Sequence, residues 1–173
     1  MSALHHNSKT PAELRDVWET PQPIFDYMNE LYQFEIDLAA DVDNTKCDVF
    51  LFDSLNQAWH EKASVGFCNP PYSDTGSWLK KGWEEAQQGF VSVFLVPTPN
   101  GESYWGEYVF GKASEILFIN GRVAFEQPQP DGTTMPKSGN SRGSCFVEFG
   151  RAVEGDTILR SIDRDILLGK RSE

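Results

Sequence analysis

The sequence predicts an α/β fold, a sheet whose strands alternate with helices and which closes on an antiparallel, hairpin-like edge near the C-terminus. Three observations carry this. Short apolar runs of strand length recur, at 34–37, 49–52, 65–68, 90–96, 115–119 and 144–149. Between them, segments opening at Pro21 and Ser77 space their apolar residues by three and four, as a helix does. Late in the chain, Asn120-Gly121 joins two apolar runs directly, which is a hairpin signal rather than a crossover.

Residues 1–16 read as a flexible arm, whose His5-His6 pair is incidental rather than metal-binding. Thr20 is the expected N-cap of the first helix, with Pro21 at its first position and Ile24, Phe25, Met28 and Leu31 on one face. Phe34-Glu35-Ile36-Asp37 alternates as a strand, and Leu38, Ala39, Ala40 and Asp41 follow. Val49–Phe52 is a second short apolar run, ended by Asp53. After the 65–68 strand, Ser77–Gln88 is a helix with Trp78, Leu79 and Trp83 turned inward and Lys80 and Lys81 solvated. Phe90–Val96 is a strand, Tyr104–Phe110 a short helix, and Val123–Phe125 the return partner of 115–119. A polar stretch, 127–143, is too long for an ordinary connection and is expected to be functional. Ser144–Phe149 is the last strand, and 151–173 a polar tail with one apolar patch at Ile166-Leu167-Leu168.

A chain of 173 residues with 39% hydrophobic and 24% charged residues is most simply one soluble domain, here bounded at 17–150. No apolar run approaches the roughly 20 residues needed to span a bilayer, and Met1–Thr10 carries no signal-peptide core. Cys47, Cys68 and Cys145 lack paired spacing and read as reduced thiols, so the expected compartment is the cytoplasm. The net charge of -11 sits badly with a nucleic-acid binder, whose affinity rests largely on phosphate neutralisation. A basic face must therefore be local; otherwise the chain is an acidic protein that mimics DNA or binds a basic partner, or its acidity serves solubility alone.

The chemistry concentrates in Asn69-Pro70-Pro71-Tyr72. Val65, Phe67 and Cys68 form a buried strand that the prolines terminate, having no N–H to give the ladder. Residues preceding proline are held extended, which fixes the Asn69 and Pro70 carbonyls. The strand end presents an amide oxygen, a backbone carbonyl and an aromatic ring, a set suited to an exocyclic amine on a planar base. Asp37 and Asn69 both fall at strand carboxyl ends, where open α/β sheets bind ligands.

The ordered set Trp18-Glu19-Thr20-Pro21, Phe34–Ala40, Asn44, Trp59, Asn69–Tyr72, Val93–Pro97, Gly121-Arg122, Phe125 and Gly143–Cys145 resembles S-adenosylmethionine-dependent amino-methyltransferases. More narrowly, it resembles the phage-encoded DNA N6-adenine methyltransferases, the phage Dam family. The resemblance implies a compact, trimmed Rossmann-like class I methyltransferase sheet with helices on both faces. It implies methyl transfer to adenine N6 in double-stranded DNA, in the host cytoplasm. Asn69 and Pro70 would accept the N6 hydrogens, and Tyr72 would stack on a base flipped from the duplex. No metal or covalent intermediate is required.

For the cofactor, S-adenosylmethionine, the resemblance implies Asp37 at the methionine part, Ala39 allowing close backbone approach, and Trp18, Thr20 and Pro21 lining the pocket. Asp-Leu-Ala-Ala-Asp replaces the glycine-rich DPFxGxG form of larger relatives, and Asp53 is the candidate for the ribose. The 127–143 loop would meet DNA through Asn140 and Arg142 on base edges and Lys137 on phosphates, with Arg122 either holding a phosphate or bracing the loop. A protein-glutamine or RNA methyltransferase remains open, because a carboxamide nitrogen poses the same chemical problem. So do the acidic non-catalytic mimic, and a monomer or a homodimer.

Overall fold

The computed structural model describes residues 18–129, 131–136, 142–151 and 156–172; the arm at 1–16 lies outside them. In chain order the elements are α1 (Gln22–Tyr32), β1 (Ile36–Asp37), β2 (Val65–Cys68), α2 (Thr75–Ala86), β3 (Val91–Pro97) and β4 (Glu115–Asn120). Then come β5 (Glu126–Pro128), β6 (Thr134–Pro136), β7 (Ser144–Phe149), β8 (Ile158–Asp163) and α3 (Arg164–Leu167). The sheet order is β1-β2-β3-β7-β4-β8, with β5 and β6 pairing separately as a small antiparallel hairpin.

Strands β1, β2 and β3 are parallel; β7 runs antiparallel to both β3 and β4, and β8 is parallel to β4. Every strand of that sheet but β7 therefore ends on the same edge. Alternation along the strands divides the core into two faces. Phe67, Val93, Leu95, Ile119 and Phe146 pack with Ile24, Phe25 and Met28 of α1 and with Leu167 of α3. Cys68, Phe94, Val96, Ile116, Val147 and Phe149 pack with Trp78 and Leu79 of α2, Trp59 and Trp105. Helix α2 comes close to the sheet at Gly82, where a Cβ would stand 2.5 Å from the Phe94 ring.

The expected antiparallel partner of β4 is not Val123–Phe125. Both flanks of β4 are taken, by β7 on one side and β8 on the other, so the antiparallel strand lies inside the sheet rather than at its edge. Nor is the C-terminal segment a tail. Ile158–Asp163 forms the edge strand β8, and Asp163 caps α3 by accepting from the Asp165 N–H at 2.8 Å. Its exposed Leu159, Arg160 and Ser161 give it the polar composition that disguises it.

Other departures are local. Pro21, not Thr20, is the N-cap of α1, and no side chain caps it; Leu31 is 57% exposed. The second apolar run forms no strand, because β1 is only two residues long and offers Phe50 a single bridge at Asp37. Tyr104–Phe110 becomes a π-helical turn over Trp105–Val109. Lys81 is not solvated: it lies over the Trp59 ring and pairs with buried Glu85 at 2.7 Å. The cysteines are free, with Cys68 and Cys145 buried and Cys47 half-buried. Among the described residues no helix is long and apolar enough to cross a membrane.

Candidate active site

The site forms where β1 and β2 end side by side, with Asp37 paired in register with Phe67 two residues before Asn69. Asp37 is 4% exposed. Its oxygens accept the Ala39 N–H at 3.3 Å and the Lys46 N–H at 3.0 Å. Burial nevertheless dominates, lifting the carboxyl from 3.8 to about 6, with those two hydrogen bonds and the Lys46 charge pulling the other way. The residues after Asp37 shape a tight loop without glycine. Asp41 accepts from the Asp43 and Asn44 N–H groups, and Asn44 accepts from the Asp41 N–H, a reciprocal turn.

Asn69 is oriented from across the site. Its Nδ2 donates to the Trp18 carbonyl at 2.9 Å. A carbonyl only accepts, so this contact sets which way the amide faces and leaves Oδ1 uncommitted to it. Trp18 in turn is held by its neighbours. Glu19 exchanges two backbone hydrogen bonds with Glu126, at 2.8 and 3.0 Å, and the Trp18 ring stacks on Phe125. Tyr72 meets the same Phe125 edge-on at 5.8 Å. Burial, foremost, raises the Tyr72 phenol, beside the Ser144 hydroxyl.

Trp18, Thr20, Asp37, Ala39, Asn44, Lys46 and Asn69 line one small cavity. Among the described residues, the Trp18 Nε1 and Thr20 Oγ1 atoms are buried without a hydrogen-bond partner. A larger cleft of about 330 Å³ adjoins it through Ala39, Ala40 and Asn44. Its further lining includes Leu51, Phe52, Asp53, Pro71 and Trp78. Asp53 has a left-handed backbone (φ 50°) and accepts from Asn56 Nδ2 at 2.8 Å. The structure thus gathers Trp18, Thr20, Asp37, Ala39, Asn69 and, next door, Asp53. Pro21 is buried at the start of α1 and Pro70 beside Asn69, neither lining these two spaces.

Sequence reasoning missed Glu19, Lys46, Phe52 and Trp78 as wall residues. Lys46 reaches Glu19 at 3.8 Å, each side chain 12% exposed, which no periodicity could announce in a loop. The basic residues expected at the nucleic acid are divided. Arg122 is exposed after the Gly121 turn (φ 102°). Arg142 is committed to Glu102 at 2.6 Å and to the Thr98 carbonyl at 2.9 Å, so it ties the end of β3 to the start of β7. Lys137 and Asn140 lie outside the described residues.

The family model for DNA N-6-adenine-methyltransferases (Dam) matches residues 7–171. The chain belongs to that family. Its mixed sheet, helices on both faces and separate hairpin make a Rossmann-like methyltransferase fold. A DNA N-6-adenine-methyltransferase of Escherichia phage T1 is 28% identical over 157 residues, 88% of this chain and 63% of that relative. Another, of Haemophilus phage HP1, is 26% identical over 126 residues, 68% of this chain and 70% of that relative. The chain thus spans somewhat under two thirds of the T1 relative's length.

Proposed function

We propose that this Dam-family chain transfers a methyl group from S-adenosylmethionine to adenine N6 in double-stranded DNA, acting in the host cytoplasm. The observation that carries the reading is the Asn69 amide, held by the Trp18 carbonyl so that its oxygen remains to accept a substrate amine. Adenine N6 is a poor nucleophile because its lone pair is delocalised into the ring. Asn69 Oδ1 and the Pro70 carbonyl accept hydrogen bonds from its two N–H groups, favour a pyramidal nitrogen and stabilise the positive charge that grows there, and one of the two protons leaves to water once the nitrogen carries the methyl. Tyr72, anchored edge-on by Phe125, offers its ring to the base. Stacking of that kind contributes about 1–3 kcal/mol, offsetting part of the cost of taking the base out of the duplex.

The residues at the two adjoining spaces fit the cofactor. S-adenosylmethionine carries an ammonium, a carboxylate and a sulfonium, and its bound role is to supply an electrophilic methyl. Asp37 is a buried carboxylate with capacity for an ammonium beyond the two N–H groups it already accepts. Thr20 Oγ1 and Trp18 Nε1 are buried polar atoms whose missing partners a carboxylate would provide. Asp53 and Phe52, in the wider cleft, suit a ribose and a base. The acidic surroundings, unfavourable to phosphates, favour a ligand of net positive charge.

Incubation with radiolabelled cofactor and unmethylated duplex DNA, followed by digestion, tests the reading. Label recovered as N6-methyladenine is the expected result; label in cytosine, in RNA or only in protein would overturn it.

A further inference from the structure

The geometry points to Phe125 and Glu126, at the root of the β5–β6 hairpin, as positioning residues that hold Asn69 and Tyr72 in mutual alignment. This rests on the proposed methyl transfer but concerns residues that do not themselves touch the reacting atoms. Phe125 is 1% exposed and stands between two site residues, with Trp18 stacked on it at 6.0 Å and Tyr72 edge-on at 5.8 Å. Glu126 N–H donates to the Glu19 carbonyl at 3.0 Å, and Glu19 N–H donates to the Glu126 carbonyl at 2.8 Å. The segment so clamped carries the Trp18 carbonyl, and that carbonyl receives Asn69 Nδ2.

Two routes therefore leave one dipeptide. One runs through the Phe125 ring to the Tyr72 ring; the other runs through the Glu126 backbone, Glu19 and the Trp18 carbonyl to the Asn69 amide. They fix the acceptor for the amine and the ring against the base from a single point. The same point begins the hairpin, whose outer strand Thr134–Pro136 is exposed at every residue. Among the hairpin's described residues the charged ones, Glu126 and Asp131, are both acidic.

The test uses single-turnover methyl transfer, with enzyme and cofactor in excess over a duplex carrying one target. That rate constant is not moved by a loss of folded protein, which distinguishes positioning from simple support of the fold. Phe125→Leu removes both ring contacts. Glu126→Pro removes the N–H that donates to the Glu19 carbonyl, a donor that does not join β5 to β6, and with the side chain it removes the acceptor of the Thr134 Oγ1 hydrogen bond at 3.1 Å across the hairpin. Both variants are expected to slow transfer by between about tenfold and a hundredfold, as about 1 Å of misplacement does, with the dissociation constant for DNA unchanged. A wild-type rate constant in both, with any loss confined to melting temperature or DNA affinity, overturns the inference. So does failure of both to fold, since the dipeptide would then serve the fold alone. A wild-type protein that methylates no DNA overturns the underlying reading as well, and is seen before either variant is assayed.

Discussion

Replacing Asp37 with asparagine should separate stability from ligand binding, and in a pH-dependent way. The carboxyl is pushed from 3.8 to about 6 by burial. At about 1.36 kcal/mol per pKa unit, keeping it ionised above pH 6 costs the fold about 3 kcal/mol. A raised folded-state value means that the fold gains relative stability fully below pH 3.8 and loses it as pH rises through about 6. The substituted amide carries no such charge. It also has one oxygen where two N–H groups, of Ala39 and Lys46, need acceptors. Leaving one unmatched takes back roughly 1–3 kcal/mol at every pH.

The variant should therefore be less stable than wild type at pH 4, and equal to it or more stable at pH 8. The difference between the two proteins should swing by about 2 kcal/mol over that range. Urea denaturation at a series of pH values reads it directly. Titration calorimetry with S-adenosylmethionine at pH 8 should show at least about a thirtyfold loss of affinity, since truncating one partner of a buried charge pair costs about 2 kcal/mol or more. Retained affinity would remove Asp37 from the ammonium site. Parallel stability profiles for the two proteins would refute the burial argument itself.

Asn69→Ala should lower methyl transfer by about a hundredfold or more, with cofactor affinity largely kept, as loss of a preorganised transition-state contact does; equal losses in both would make Asn69 a cofactor residue. Tyr72→Ala should weaken capture of the target base by about 1–3 kcal/mol, measured with a fluorescent base analogue at the target position. Gly82→Ala should destabilise the fold by about 1–3 kcal/mol in chemical denaturation, because its new methyl meets Phe94; an unchanged midpoint contradicts the close helix–sheet approach. Glu85→Ala should be costly too. Although burial opposes it, hydrogen bonds from Lys81 and His60 draw this carboxyl down to about 2, and the variant should melt well below wild type at pH 7. For a depressed carboxyl that stability is present above pH 4.5 and fades as pH falls through about 2.

Much of the site was legible because its signals are local. A proline pair ends a strand wherever it stands, and an apolar run ending in Asp37 or Asn69 marks a sheet edge without reference to the rest of the chain. The helix at Pro21 and the strands at 90–96 and 144–149 are likewise set by periodicity within a few residues. What escaped depends on long-range competition. Val123–Phe125 reads as a hairpin return, yet β4 already has two partners drawn from far along the chain, and Phe125 becomes a buried brace. Strand β8 is an edge with exposed Leu159, Arg160 and Ser161, so it lacks the alternation that announces a strand. Lys46 and Glu19 come together only through tertiary contact, and the backbone hold of Trp18 on Asn69 involves no side-chain property of Trp18. Arg142, a basic residue in a polar loop that suits DNA on sequence grounds, also pairs with Glu102, a contact that the sequence does not announce.

Whether the Asn69–Tyr72 strand end methylates the exocyclic amine of adenine is decided most directly by nucleoside mass spectrometry. The DNA comes from cells that lack adenine methylation of their own and express either wild type or Asn69→Ala. N6-methyladenine is expected with wild type, and none above background with the variant. N4-methylcytosine in its place, or N6-methyladenine that persists when Asn69 is gone, would contradict the assignment.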